Sequence, residues 1–261
     1  MHQETGKATP FGCGKKAVNK LLLIQPGAFG DLFVCAPIAR RYSKQGYTID
    51  WPVREKFLPT LHYFDYVNPI QISEETFDED WLRSDVMKIL PLSKYYDKVI
   101  NLADRGPHLT AQRAWENFEQ CKYRISKVPF GEKFNLEWTR NKKKEKQLFK
   151  LLGLSDGDEY AVVHRVDSAN QVAEIPNINV KIVEVSPIDG FNIPDWFLVF
   201  KNAKQIFCIE SSVHQFMDGV VNQLPEERFL LKRPSVAPNC RFTVSHNWKL
   251  DYIGHNSRIH G

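Results

Sequence analysis

Short apolar runs of strand length alternate along this chain with longer stretches whose apolar residues recur at helical spacing. Leu21 to Gln25 reads as a buried strand and Leu32 to Ser43 as the helix after it. A strand over Tyr47 to Trp51, a short helix near Lys56 to Phe64, a strand over Tyr66 to Ile70, a helix near Glu79 to Ile89 and a strand over Lys98 to Leu102 continue the series. Strands that alternate with helices form mostly parallel sheets, because each helix carries the chain back to the edge it started from. Pro37 falls inside the first helix, where it removes a backbone donor and clashes with the preceding turn at a cost of about 3 kcal/mol, so a kink or a later start is expected.

The stretch Thr110 to Tyr123 is helical in pattern, and a basic run from Arg140 to Lys146 leads through Leu148 and Phe149 to a Gly-Asp turn at Gly153 to Asp158. That run reads as the solvated face of a helix closing a first unit. A second α/β unit opens at the strand Tyr160 to His164. It continues with a strand over Val180 to Val185, a helix near Pro194 to Lys201, a strand over Gln205 to Ile209 and a helix over Ser212 to Val221. After Pro225 the pattern fades into Phe229-Leu230-Leu231 and a final segment, Trp248 to Ile253. The expected organisation is a polar tail over residues 1–19, a first Rossmann-like domain over 20–153, a second over 154–245, and a C-terminal segment over 246–261 placed to cross back to the first. Two such domains would face a central cleft.

Composition narrows the class without naming it. The 261 residues are 43% hydrophobic, enough for one large core or two smaller ones. No apolar run approaches the roughly 20 residues of a membrane-spanning helix and the first residues lack a signal-peptide core, so a cytoplasmic protein without an integral membrane segment is expected. The five cysteines (Cys13, Cys35, Cys121, Cys208 and Cys240) form no Cys-x-x-Cys pair and read as reduced packing residues. A net charge of +4 is compatible with a polyanionic partner but well short of a dedicated nucleic-acid binder.

Two stretches carry candidate chemistry. The first strand ends at Gly27-Ala28-Phe29-Gly30-Asp31, where two glycines let backbone approach a ligand and a carboxylate stands at the helix start. The strand Gln205 to Ile209 ends in Glu210-Ser211-Ser212-Val213-His214, whose hydroxyls and helix-start amides suit a diphosphate and whose Glu210 suits sugar hydroxyls. The bland alternative makes Ser211 or Ser212 a helix cap, Glu210 and Asp31 helix-terminus acids, and His214 a packed side chain. Asp78-Glu79-Asp80 resembles a metal-binding Asp-x-Asp but reads as a helix N-terminus, and the eight histidines lack His-x-x-x-His spacing, so no metal is expected. Gly-x-x-Gly-Asp also departs from the dinucleotide fingerprint, although Asp50 ends the second strand where a ribose-binding acid would stand.

The Gly27 to Asp31 turn followed by Pro37-Ile38-Ala39-Arg40-Arg41 resembles the N-terminal signature of heptosyltransferase-like (family 9-like) glycosyltransferases of the GT-B fold. Asn202 to His214 resembles their sugar-donor motif, with Glu210 in place of the commoner Asp, Ser212 in place of Gly, and one residue less before the histidine. The resemblance implies Asp31 as general base, Gly27, Ala28, Phe29 and Gly30 as a phosphate or acceptor loop, and Glu210, Ser211, Ser212 and His214 as nucleotide-sugar contacts. His164, Arg165 and Ser168, after the strand Ala161 to His164, join the sugar-donor side, with Lys204 and Lys232-Arg233 as further cations; Arg105, His108, Arg113 and Arg124 fall to the acceptor side.

The expected function is inverting, metal-independent sugar transfer from a nucleotide-sugar, which is a substrate, so no resident cofactor is implied. The acceptor is either a saccharide of lipopolysaccharide type or a hydroxymethylated base in phage DNA, the latter contacted through Lys122, Lys142 to Lys144 and an aromatic, Trp115 or Tyr123. The alternative is a non-catalytic nucleotide- or sugar-binding module of the same fold.

Overall fold

The computed structural model describes residues 19–74, 80–103, 117–166, 170–231 and 248–251. Its first sheet holds β1 (Asn19–Ile24), β2 (Tyr47–Arg54), β3 (Val67–Ile72) and β4 (Lys98–Asn101), ordered β3-β2-β1-β4 and parallel throughout. Helices α1 (Phe29–Ser43), α2 (Leu58–Leu61) and α3 (Trp81–Ile89) lie between them, and α4 (Phe118–Ser126) and α5 (Lys142–Leu151) follow. Central β1 is buried from Leu21 to Ile24, which is why it reads as a continuous apolar run rather than an alternating one.

The second sheet holds β5 (Tyr160–His164), β6 (Lys181–Glu184), β7 (Gln205–Ile209), β8 (Arg228–Leu231) and β9 (Lys249–Asp251), ordered β6-β5-β7-β8-β9 and again parallel. Helices α6 (Phe197–Asn202) and α7 (Ser212–Gly219) flank β7 in sequence. In each sheet the chain winds first to one side and then to the other. The reversal falls between β1 and β4 in the first sheet and between β5 and β7 in the second. Loops leaving the carboxyl ends of strands at such reversals open the crevice in which α/β proteins place ligands.

One apolar cluster runs through both halves. Phe33 of α1 meets Phe216 of α7 edge-on at 5.3 Å between ring centroids, and Trp138 meets Phe216 at 5.4 Å and Phe197 at 4.9 Å. α1 against α7 is the most extensive helix pair among the described elements.

Several expected boundaries move. α1 starts three residues before Leu32 and continues through Pro37 to Ser43, with the Tyr123 hydroxyl donating to the Val34 carbonyl (2.9 Å) in the turn that Pro37 disturbs. β2 extends past Trp51 to Arg54 and includes Pro52; its pairing with β1 ends at Asp50, so no ladder donor is lost on that side. Asp50 is therefore inside a strand, accepting from Asn68 Nδ2 (2.8 Å) and the Tyr96 hydroxyl (2.7 Å), and is not a strand-end ribose acid. The faded pattern at Phe229 to Leu231 is a strand. Within 246–261, expected to cross back, residues 249–251 add β9 to the second sheet, and 252–261 lie outside the described residues. The helix expected over Thr110 to Tyr123 is described only from Phe118.

Candidate functional site

The first loop is wired by the residue that ends the β1 run. Gln25 is fully buried; its side-chain NH2 donates to the Gly27 carbonyl, its backbone carbonyl accepts from Trp51 Nε1 (2.8 Å), and its Oε1 accepts from Lys122 Nζ (2.9 Å). A side chain at Gly27 would displace its neighbours: a Cβ there would lie 2.8 Å from Phe57 Cζ and 2.9 Å from the Trp81 ring. Asp31 stands in the first turn of α1, where its Oδ2 accepts from the Ala28 amide (3.4 Å) and its Oδ1 lies 3.4 Å from Lys122 Nζ.

The second loop leaves β7 through half-buried Glu210 to Ser211, which caps α7 by accepting from the His214 amide (3.3 Å). The Ser211 hydroxyl also lies 3.3 Å from His164 Nδ1, at the end of β5, and burial moves the His164 ring below the ordinary histidine range. A Cβ on Gly30 would lie 3.6 Å from Ser212 Cα, so the amino ends of α1 and α7 touch. Their helix dipoles point positive ends at the same space, which favours an anion there.

Phe29, His164, Ser212 and Val213 line a cavity of about 310 Å³ together with Thr60, Trp196 and the loop after β6. Its walls are largely apolar where Val185, Pro187, Ile188, Phe191 and Ile193 face it, and polar at His164, Ser186 and Ser212. The sequence reading missed this β6 loop; its position after a strand's carboxyl end was the available signal. It also missed the tie between Lys122 and Asp31, for which no local pattern exists.

The structure thus brings Phe29, Gly30, His164, Ser211 and Ser212 together, with Gly27 and Ala28 on the adjoining loop and Asp31 in the first turn of α1. His214, expected among the nucleotide-sugar contacts, is fully buried against the Trp248 ring at 4.8 Å, and burial pushes it down to about 4 although Asp218 opposes the shift. Arg165 turns to Glu184 of β6 (2.5 Å) rather than into the cavity. Lys204 pairs with Glu159 (2.9 Å) before β7, at the opposite sheet end. Lys122 and Tyr123 are buried and so present no surface to DNA, whereas Arg124 is half-buried beside Cys121 Sγ (3.6 Å). Arg105, His108, Arg113, Trp115, Ser168 and Lys232-Arg233 lie outside the described residues.

Asp80 caps α3 by accepting from the Arg83 amide (3.2 Å), a helix start as expected; Asp78 and Glu79 lie outside the described residues. Among the described residues no group of three or more His, Cys, Asp or Glu is arranged to hold a metal ion, and no helix is long and apolar enough to cross a membrane.

Two parallel α/β sheets whose reversal-point loops meet at one cavity form a GT-B-type fold. No family model matches the sequence, and no curated protein matches it. Among solved structures, the chain is similar to a glycosyl transferase family 9 protein from Veillonella parvula DSM 2008, with a TM-score of 0.54 at 10% identity over 85% of this chain and 83% of that one. It is similar also to E. coli ADP-heptose lps heptosyltransferase II (TM-score 0.52, 11% identity, 89% and 90% covered) and to E. coli heptosyltransferase WaaC with ADP (TM-score 0.50, 13% identity, 88% and 92% covered).

Proposed function

We propose that this protein is a glycosyltransferase that moves a sugar from a nucleotide-sugar to an acceptor hydroxyl, with inversion, without a metal, and with Asp31 as general base. The observation that carries this reading is the single cavity shared by Phe29, from the first half, and His164 and Ser212, from the second. Its apolar wall suits a nucleobase, and the start of α7 suits the diphosphate. Asp31 stands two residues from Phe29 on the same helix turn. The acceptor oxygen would attack the anomeric carbon as its proton passes to Asp31, and the bond from that carbon to the diphosphate would break, its electron pair leaving with the phosphate.

A saccharide acceptor fits better than DNA, because Lys122 and Tyr123, two residues a DNA-binding face would have used, are inside the protein. The test is a thermal-shift screen of ADP, UDP, GDP and their sugar conjugates, followed by transfer assays on saccharide acceptors and on hydroxymethylated DNA. Stabilisation by one nucleotide class, and transfer that falls about 10²- to 10⁴-fold in Asp31→Asn, supports the proposal. A nucleotide-sugar that binds but is neither transferred nor hydrolysed would favour the binding-module reading instead.

A further inference from the structure

Lys122 is a charged side chain in a place where an apolar one would pack at far less cost. Its side chain is 3% exposed, and it enters the reversal point of the first sheet between the ends of β1 and β4. Its ammonium lies 2.6 Å from the Leu102 carbonyl just after β4, 2.9 Å from Gln25 Oε1 just after β1, and 3.4 Å from Asp31 Oδ1. The Leu102 carbonyl and Gln25 Oε1 accept hydrogen bonds from the ammonium, and Asp31 stands at ion-pair distance. A buried cation is retained only with such partners, and removing one leaves an uncompensated charge.

We infer that Lys122 is a positioning residue for Asp31, fixing the direction of the carboxylate and holding it ionised; this rests on the proposed role of Asp31 as base. The carboxylate is 18% exposed, with its Oδ1 facing the ammonium and its Oδ2 accepting from the Ala28 amide. Gln25 extends the link to the loop backbone, since the side chain that accepts from Lys122 also donates to Gly27. Among the described residues, three other titratable groups on α4 and α7 have partners of their own. Glu119 and Asp218 lie 2.6 and 2.7 Å from Lys133, and His214 faces Trp248. An opposite charge at this distance favours the ionised carboxylate, so Asp31 without Lys122 should take up its proton at higher pH.

The experiment follows the titration of isotope-labelled aspartate side chains by NMR, with Asp31→Asn assigning the Asp31 signal. In Lys122→Met its midpoint should rise by about one pH unit or more, and in Lys122→Arg, which keeps the charge, it should stay near that of the wild type. A second measurement needs no change at Lys122. Asp31→Asn strands the ammonium, so its Tm deficit against wild type should narrow as pH is raised from about 7 to 10, where the lysine can lose its proton. A midpoint in Lys122→Met within about 0.3 unit of wild type overturns the proposal. If Lys122→Met does not fold, the Tm series decides, and a deficit constant with pH overturns it. Neither readout uses a substrate. Wild-type transfer by Asp31→Asn would therefore remove the base assignment alone, while the measured link between the two side chains would stand.

Discussion

Replacing Lys133 by Met should be among the most destabilising single changes available to this chain. Lys133 is 1% exposed and sits between two fully buried carboxylates, Glu119 at 2.6 Å and Asp218 at 2.7 Å. Glu119 also accepts from Gln215 Nε2 (2.6 Å), and Asp218 from Trp248 Nε1 (3.2 Å). Burial pushes Glu119 up to about 7 even though Lys133 pulls it down, so the cluster already holds a proton more readily than an ordinary carboxylate. Breaking a buried pair by removing one partner costs about 3–5 kcal/mol, which for a chain of this size corresponds to a Tm loss of about 6–20 °C.

The pH dependence of that loss has a definite sign. An acid raised from 4.5 to about 7 binds more protons folded than unfolded, so its contribution is full below about pH 4.5 and declines as pH rises towards 7. Without Lys133 the folded value climbs further, and the decline extends above pH 7. Urea unfolding at pH 6 and pH 8 should therefore show a larger deficit for Lys133→Met at the higher pH, with an unchanged m-value. The triple variant Glu119→Gln, Lys133→Met, Asp218→Asn, which removes all three charges together, should recover a large part of it. A single-variant deficit below about 1 kcal/mol at pH 8, or one that shrinks as pH rises, would refute the reasoning.

His214→Phe should flatten the acid limb of stability: a histidine depressed from 6.5 to about 4 stabilises the fold above pH 6.5 and loses that contribution as pH falls to 4, about 3 kcal/mol in all, so urea midpoints of the variant should fall less over that window. Gly27→Ala should cost about 1–3 kcal/mol, since its methyl meets the rigid rings of Phe57 and Trp81, and thermal unfolding checks this against Gly30→Ala, whose nearest neighbour at 3.5 Å leaves room. Ser212→Glu adds an acid at the first position of α7, which the helix dipole favours. Its Tm should hold while affinity for the nucleoside diphosphate that stabilises the wild type falls at least about tenfold by calorimetry, because the new carboxylate repels phosphate.

The strands that build the site were readable in the sequence because each is buried on both faces and shows as an unbroken apolar run. Tyr160–His164 and Gln205–Ile209 fall where the pattern puts them. β8 was lost because Arg228 opens it, and its guanidinium is accommodated only by the folded loop before it, through Nη1 to the Leu224 carbonyl (3.2 Å) and to Pro225. At the site, Gly27 to Asp31 and Ser211-Ser212 stood out through glycines and capping hydroxyls at strand ends. The burial of His214 was not legible, because a histidine one turn into a helix looks the same in sequence whether it is exposed or, as here, packed on Trp248, remote in the chain. The burial of Lys122 was equally hidden, since an exposed and a buried lysine on an amphipathic helix differ only in what the rest of the chain brings to them.

The two buried charge clusters meet on one short helix. α4 presents Glu119 and Lys122 three residues apart, hence on one face, and Lys122 reaches Asp31 while Glu119 reaches Lys133 and, through Gln215, α7. Gln215 in turn packs against Gly30, one residue before Asp31. The carboxylate on α1 and the helix start on α7 are thus referred to a common support and not only to each other. Apolar packing such as Phe33 on Phe216 would hold the halves together but tolerates sliding, because it has no direction. Charge-assisted hydrogen bonds between buried groups do have direction, and a displacement of a few tenths of an ångström weakens them. The proposed reaction needs a base and a leaving group held in register across two sheets, and that need would account for ionised side chains in an interface that leucine or methionine could fill.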